Sequence, residues 1–183
     1  MRFQLNITLT EEDYLAFNSF HSLESAHGRK QIQKSRIFFI SVIVILMALV
    51  ILFLGWTTVS VTYVVLVGLF ALLYTLLFKK IIKRNIMSQL KKLKKIGKLP
   101  FDTVSKLEFH EDRIVEITDT KHIELLYNIL ERICVVKDHY IYQYTSSVQA
   151  YILPIAQLKE QLGQEEFMGF ISQKCNNIEH YQL

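Results

Sequence analysis

The stretch IFFISVIVILMALVILFLGW, residues 37–56, decides how the rest of the chain is read. Its twenty residues carry no charge. At about 1.5 Å per helical residue they reach about 30 Å, the thickness of a hydrocarbon core. A second apolar run of the same length, VSVTYVVLVGLFALLYTLLF, covers residues 59–78. One unbroken helix over both would be about twice as long as a bilayer is thick, which favours a two-helix transmembrane hairpin. Gly55, Trp56, Thr57 and Thr58 form its turn, with Trp56 suited to the interface.

Working outward, both flanks are basic. Arg29, Lys30, Lys34 and Arg36 precede the first span, and Lys79, Lys80, Lys83 and Arg84 follow the second. The turn carries no cation, so the positive-inside rule predicts a multi-pass protein with both termini in the cytoplasm. The first apolar run lies behind a polar segment and lacks a cleavage region, so no signal peptide is expected. Within the spans the polar groups are hydroxyls, with no Asp, Glu, Lys, Arg, His, Asn or Gln. Ion and proton pathways need such groups, so an anchor is favoured over a pore. Gly68, Ala71 and Thr75 form a small-residue stripe suited to helix packing within the hairpin or between copies.

Beyond the second span, Ile82, Ile86, Leu90 and Leu93 recur at helical spacing, while Lys91, Lys92, Lys94 and Lys95 fill the remaining surface. This predicts a continuation of the second helix, ended by Gly97 and Pro100. All twelve cations named so far are candidate contacts for anionic lipid headgroups of the inner leaflet.

Charge is divided unevenly. Residues 25–101 hold thirteen Lys or Arg and no acid, whereas residues 102–183 hold seven basic and thirteen acidic residues, a net of −6. The basic pI therefore belongs to the membrane flanks, and an acidic head speaks against nucleic acid as a partner. Cys134 and Cys175 are too few for a disulfide framework.

The soluble parts read as α+β. Residues 1–28 begin with the alternation Phe3, Leu5, Ile7, followed by a helix capped by Thr10 and Asp13. This strand and helix are too small to fold alone and are expected to dock on the C-terminal portion. Residues 29–98 contain the hairpin and its basic extension. Residues 102–183 carry strands at 104–109, 114–117, 122–127, 131–136, 140–144 and 149–153, then a helix at 164–175. Short antiparallel strands closed by a C-terminal helix predict a small, barrel-like head.

Three segments carry a family resemblance: Ile7-Thr8-Leu9-Thr10-Glu11-Glu12-Asp13-Tyr14 ahead of the double span; Phe109-His110-Glu111-Asp112-Arg113-Ile114; and Ile129 to Ile133 through Lys137 to Tyr142, followed by Ala150-Tyr151-Ile152-Leu153-Pro154. In these the chain resembles the YcxB-like family of bacterial membrane proteins, whose C-terminal domain is similar to a pleckstrin-homology-type barrel. It departs from the family pattern at Tyr127, where tryptophan is frequent, and at Ile155, where lysine is. The resemblance implies a fold, a topology and a bacterial inner-membrane location. It implies no reaction, no cofactor and no catalytic residue.

The residues alone point the same way. The six histidines lack metal-site spacing, the glycines are isolated, and the acidic pairs sit in turns. No catalytic, cofactor or metal site is expected. Tyr140, Tyr142 and Tyr144 alternate on one strand, and Tyr151 comes from the next. Such a face either packs inside the head or offers a protein-binding surface, and it is the first candidate for one. These readings together describe a non-catalytic, membrane-anchored interaction module, binding a protein partner or its own copies. The alternative is an accessory subunit of a transporter or channel.

Overall fold

The computed structural model describes residues 1–97, 99 and 101–182. The order of elements is β1 (Phe3–Thr8), α1 (Glu11–Leu23), α2 (Ala26–Leu54), α3 (Thr58–Lys95), β2 (Val104–Phe109), β3 (Arg113–Ile117), β4 (His122–Leu126), a 3-10 turn (Tyr127–Ile129), β5 (Arg132–Val136), β6 (Tyr140–Tyr144), β7 (Ala150–Pro154), α4 (Ile155–Gln161), α5 (Gln164–Ser172) and β8 (Ile178–Tyr181). The chain divides into two compact units: Met1–Phe17 with Leu93–Leu183, called the head here, and Asn18–Lys92, the hairpin unit. The boundary differs from the expected 1–28 segment. Residues 18–28 belong with the hairpin because the end of α1 is tied directly to α2. Ser25 caps α2, accepting from the Gly28 N–H at 3.0 Å and donating to the His21 carbonyl at 2.6 Å. A Cβ on Gly28 would lie 2.3 Å from that carbonyl oxygen, so the corner admits only glycine.

In the hairpin unit, α2 and α3 are two apolar helices long enough to cross a membrane. Gly55, at φ +64°, ends α2. Thr57 and Ser60 then start α3 with reciprocal bonds: the Thr57 N–H donates to Ser60 Oγ at 2.9 Å, and the Ser60 N–H to Thr57 Oγ1 at 3.3 Å. Ser60, fully buried, also donates to the Gly55 carbonyl at 2.7 Å. Half-shielded residues recur along α2 at Arg36, Phe39, Ile43, Met47 and Val50, and along α3 at Val64, Val67, Ala71, Tyr74 and Thr75. These stripes are the hairpin seam, where the Phe39 and Tyr74 rings meet at 4.4 Å. The predicted small-residue stripe lies on it, although a Cβ at Gly68 would meet nothing within 4 Å. The basic extension is continuous with α3, as expected. It ends at Lys95, with Gly97 at φ +68°. Lys98 and the predicted breaker Pro100 lie outside the described residues.

The head consists of two four-stranded sheets, ordered β1-β2-β3-β4 and β7-β6-β5-β8. All pairings are antiparallel except β5 with β8. The two sheets and the C-terminal helices share one core. Leu5, Leu107, Phe109 and Ile114 come from the first sheet, Ile133, Ile141 and Leu153 from the second, and Ile155, Leu158, Phe167 and Ile171 from α4 and α5. Phe167 packs edge-on against Phe109 at 5.0 Å and Phe3 at 5.8 Å. The N-terminal strand is therefore a structural member of the head, as expected for a segment too short to fold alone. A closed barrel, by contrast, is not formed. The 3-10 turn interrupts the chain between β4 and β5, and side chains of α4 occupy the free edge of β1. Helix α4 and strand β8 were not foreseen from the sequence.

Candidate functional site

The twelve candidate lipid-contacting cations occupy α2 and α3. Eleven are exposed, and Arg36 alone is half-buried, its guanidinium 5.6 Å from the Phe78 ring centre. They are not one uniform basic collar. Glu24, the last acid before the acid-free stretch, pairs with both Arg29 at 3.6 Å and Lys79 at 3.2 Å. Within the head, Lys94 pairs with Glu11 in the first turn of α1. Three of the twelve are thus engaged with acids of the chain itself. Glu24 was the missed residue, and its position next to the basic run was the available signal. On the extension, Leu90 is buried and Ile82, Ile86 and Leu93 are half-buried, while the four lysines beside them are exposed, so the amphipathic reading holds.

The tyrosine face has a different fate. Tyr140, Tyr142 and Tyr144 do share one side of β6, but that side is covered. Tyr142 and Tyr144 are 1% and 0% exposed, and Phe17 of α1 contacts both rings at 5.2 and 5.9 Å. Arg132 lies 4.0 Å over the Tyr144 ring. Tyr140 remains half-exposed and donates its hydroxyl to Asp13 Oδ1 at 2.8 Å. The other carboxylate oxygen of Asp13 accepts from the Thr10 N–H at 2.8 Å and from the Thr10 hydroxyl at 2.7 Å, the predicted capping box. Burial, followed by the Asp13 carboxylate, holds the Tyr140 hydroxyl above its ordinary range. Burial does the same for Tyr142 and Tyr144. This face anchors α1; it is not an open docking surface.

Tyr151 does not join the other three. It pairs with Gln143, so it projects on the opposite, core-facing side of the second sheet. There it lies near Glu116, whose carboxyl is raised above its ordinary value chiefly by burial. Beside it Gln143 is fully buried, with neither amide atom hydrogen-bonded. Period-two alternation places residues on a face within one strand. It does not set the register between neighbouring strands, and that register sent Tyr151 inward.

Both cysteines are buried, and burial pushes the Cys134 thiol up to about 12, which keeps it unreactive. No cluster of three or more metal-binding side chains occurs among the described residues. No family model, no curated protein and no solved structure matches the chain.

Proposed function

We propose that this protein is a non-catalytic interaction module of the YcxB-like type, held in the bacterial cell membrane by its helical hairpin. The head, two sheets packed with α4 and α5, stands at the inner leaflet with both termini in the cytoplasm, and the family resemblance implies a pleckstrin-homology-type fold for it. The supporting observation is the way the chain separates its apolar surface. Phe38, Leu52 and Phe53 of the hairpin are 72%, 76% and 81% exposed, while the head gathers most of its apolar side chains into one shared buried core. Lysines and arginines border the exposed apolar surface, and exposed ones supply about 1 kcal/mol each near an anionic leaflet. The reading includes anionic lipid as the first partner and a protein or a second copy as the next.

Two measurements test it. A cysteine introduced by Trp56→Cys is expected to react with an impermeant maleimide from outside the cell, the native Cys134 and Cys175 being buried. One at Ser147→Cys should react only after permeabilisation. Reversed accessibility overturns the orientation. Replacement of residues 37–78 by an unrelated two-span hairpin should leave co-purifying partners unchanged. Loss of those partners favours the other reading, a transporter or channel subunit. The exposed Phe38 and Phe53 rings would fit a neighbouring helix as well as lipid.

A further inference from the structure

The outer strands of the two sheets are β1, β4, β7 and β8, and they are treated differently. The free edge of β1 is closed by two glutamines of α4. Gln157 donates to the Thr8 carbonyl at 2.7 Å and accepts from the Thr8 N–H at 2.9 Å. Gln161 does the same at Asn6, at 2.8 and 2.7 Å. Each amide stands in for a peptide unit of a neighbouring strand. On β7, Ile152, Leu153 and Pro154 are buried, and proline has no N–H to offer. Strand β8 is a four-residue piece.

Among the described residues, strand β4 has no such cover. His122, Ile123, Glu124 and Leu126 are exposed, with Ile123 at 37% and Leu126 at 50%. The hairpin to β3 closes with the Thr118 N–H donating to the Lys121 carbonyl at 2.9 Å. Alternation from that bonded pair directs the backbone of Ile123 and Leu125 toward β3. The N–H and C=O groups of His122, Glu124 and Leu126 face away. Ile123 pairs with Glu116, and Glu116 with Leu107, so Ile123 extends a row on the core side of the sheet. It is an apolar residue at the rim of a core that stops one strand short.

We propose that β4 is a self-association edge, pairing antiparallel with β4 of a second copy so that His122 lies opposite Glu124 and Ile123 opposite Ile123. Charge favours this register, in which Glu124, already 3.0 Å from Arg113 and 3.6 Å from His122 of its own chain, meets a second imidazole rather than a second carboxylate. Centring the pair on Glu124 would set two carboxylates face to face, which is unfavourable. Centring it on Leu125 would run the ladder into the 3-10 turn that begins at Tyr127. Centring it on Ile123 sets each imidazole against a carboxylate and joins the two apolar rims. The outward groups then form about four backbone hydrogen bonds across a two-fold axis. The inference rests on the interaction-module reading and deepens it: anchoring in one membrane brings copies together in a shared orientation, which lets a short edge suffice.

The test uses the full-length protein in membranes, with copper-phenanthroline as oxidant. Ile123→Cys is expected to form a disulfide-linked dimer at least about ten times faster than Thr120→Cys, because only the former places two Cβ atoms within about 5.5 Å. Adding Glu124→Pro removes an outward N–H without touching the β3 ladder and should reduce the cross-link to the Thr120→Cys level. Unchanged amide-exchange protection in β5 and β6 confirms that this variant folds. Equal rates at positions 123 and 120, or indifference to Glu124→Pro, overturn the proposal. If cross-linking fails while another protein still co-purifies with the span-replaced chain, the edge is wrong and the module reading stands.

Discussion

The same residue type meets opposite fates in the two units. Phe53 of the hairpin unit is 81% exposed, and Phe109 of the head is 0% exposed. Hairpin residues touch mainly along one narrow seam, whereas the head buries a shared apolar core between its two sheets and its helices. Head stability is therefore set by internal packing. The hairpin's apolar surface has to be matched by what surrounds it, and lipid is the proposed medium.

The sharpest way to break this contrast is to remove matching side chains. Phe109→Ala should destabilise the head by about 3–5 kcal/mol, as expected for a buried aromatic. Phe53→Ala should change hairpin stability by less than about 0.5 kcal/mol. Circular dichroism of denaturant unfolding in a fixed detergent reads both, and equal losses would abolish the distinction.

Glycines give a smaller, internal comparison. Gly28→Ala forces a Cβ to 2.3 Å from the His21 carbonyl, and about 1–3 kcal/mol of strain is expected at the α1–α2 corner. Gly68→Ala meets open space and should be neutral or slightly stabilising. Amide exchange at residues 18–28 reads the first. Unchanged protection there would mean the corner is not what ties α1 to the hairpin.

A third change runs in the stabilising direction. The buried amide of Gln143 makes no hydrogen bond, so Gln143→Met should stabilise the head by about 1–2 kcal/mol. A loss of stability would reveal a partner for that amide.

The smallest effect concerns pH. Burial raises the Glu116 carboxyl above 4.5. The unfolded chain gives up this proton more readily, so the contribution is fully present below the unfolded value and fades as pH rises through the raised one. Unfolding midpoints of the wild-type protein should fall slightly across that window relative to Glu116→Gln, which has no such titration. Parallel pH profiles would remove Glu116 from the account.

Much of this architecture was legible in order along the chain. Hydropathy located the two long helices because their apolar runs are far longer than any core element needs. Alternation located β1 through β7, and Thr10 with Asp13 marked the start of α1. Helix α4 was overlooked although Ile155 and Leu158, with Gln157 and Gln161, recur at helical spacing. Strand β8 is too short and polar to stand out, since its pairing with β5 supplies what its own residues lack.

What the sequence by itself determined is therefore local and periodic: which segments are long and apolar, which alternate, and where charge collects. Tertiary structure alone decided which faces stay open. It laid Phe17 over the tyrosines of β6, turned Tyr151 inward, spent Gln157 and Gln161 on the edge of β1 and left β4 bare. The physical reason is that periodicity constrains one element at a time, whereas exposure depends on register and on elements distant in sequence, such as Asp13 beside Tyr140.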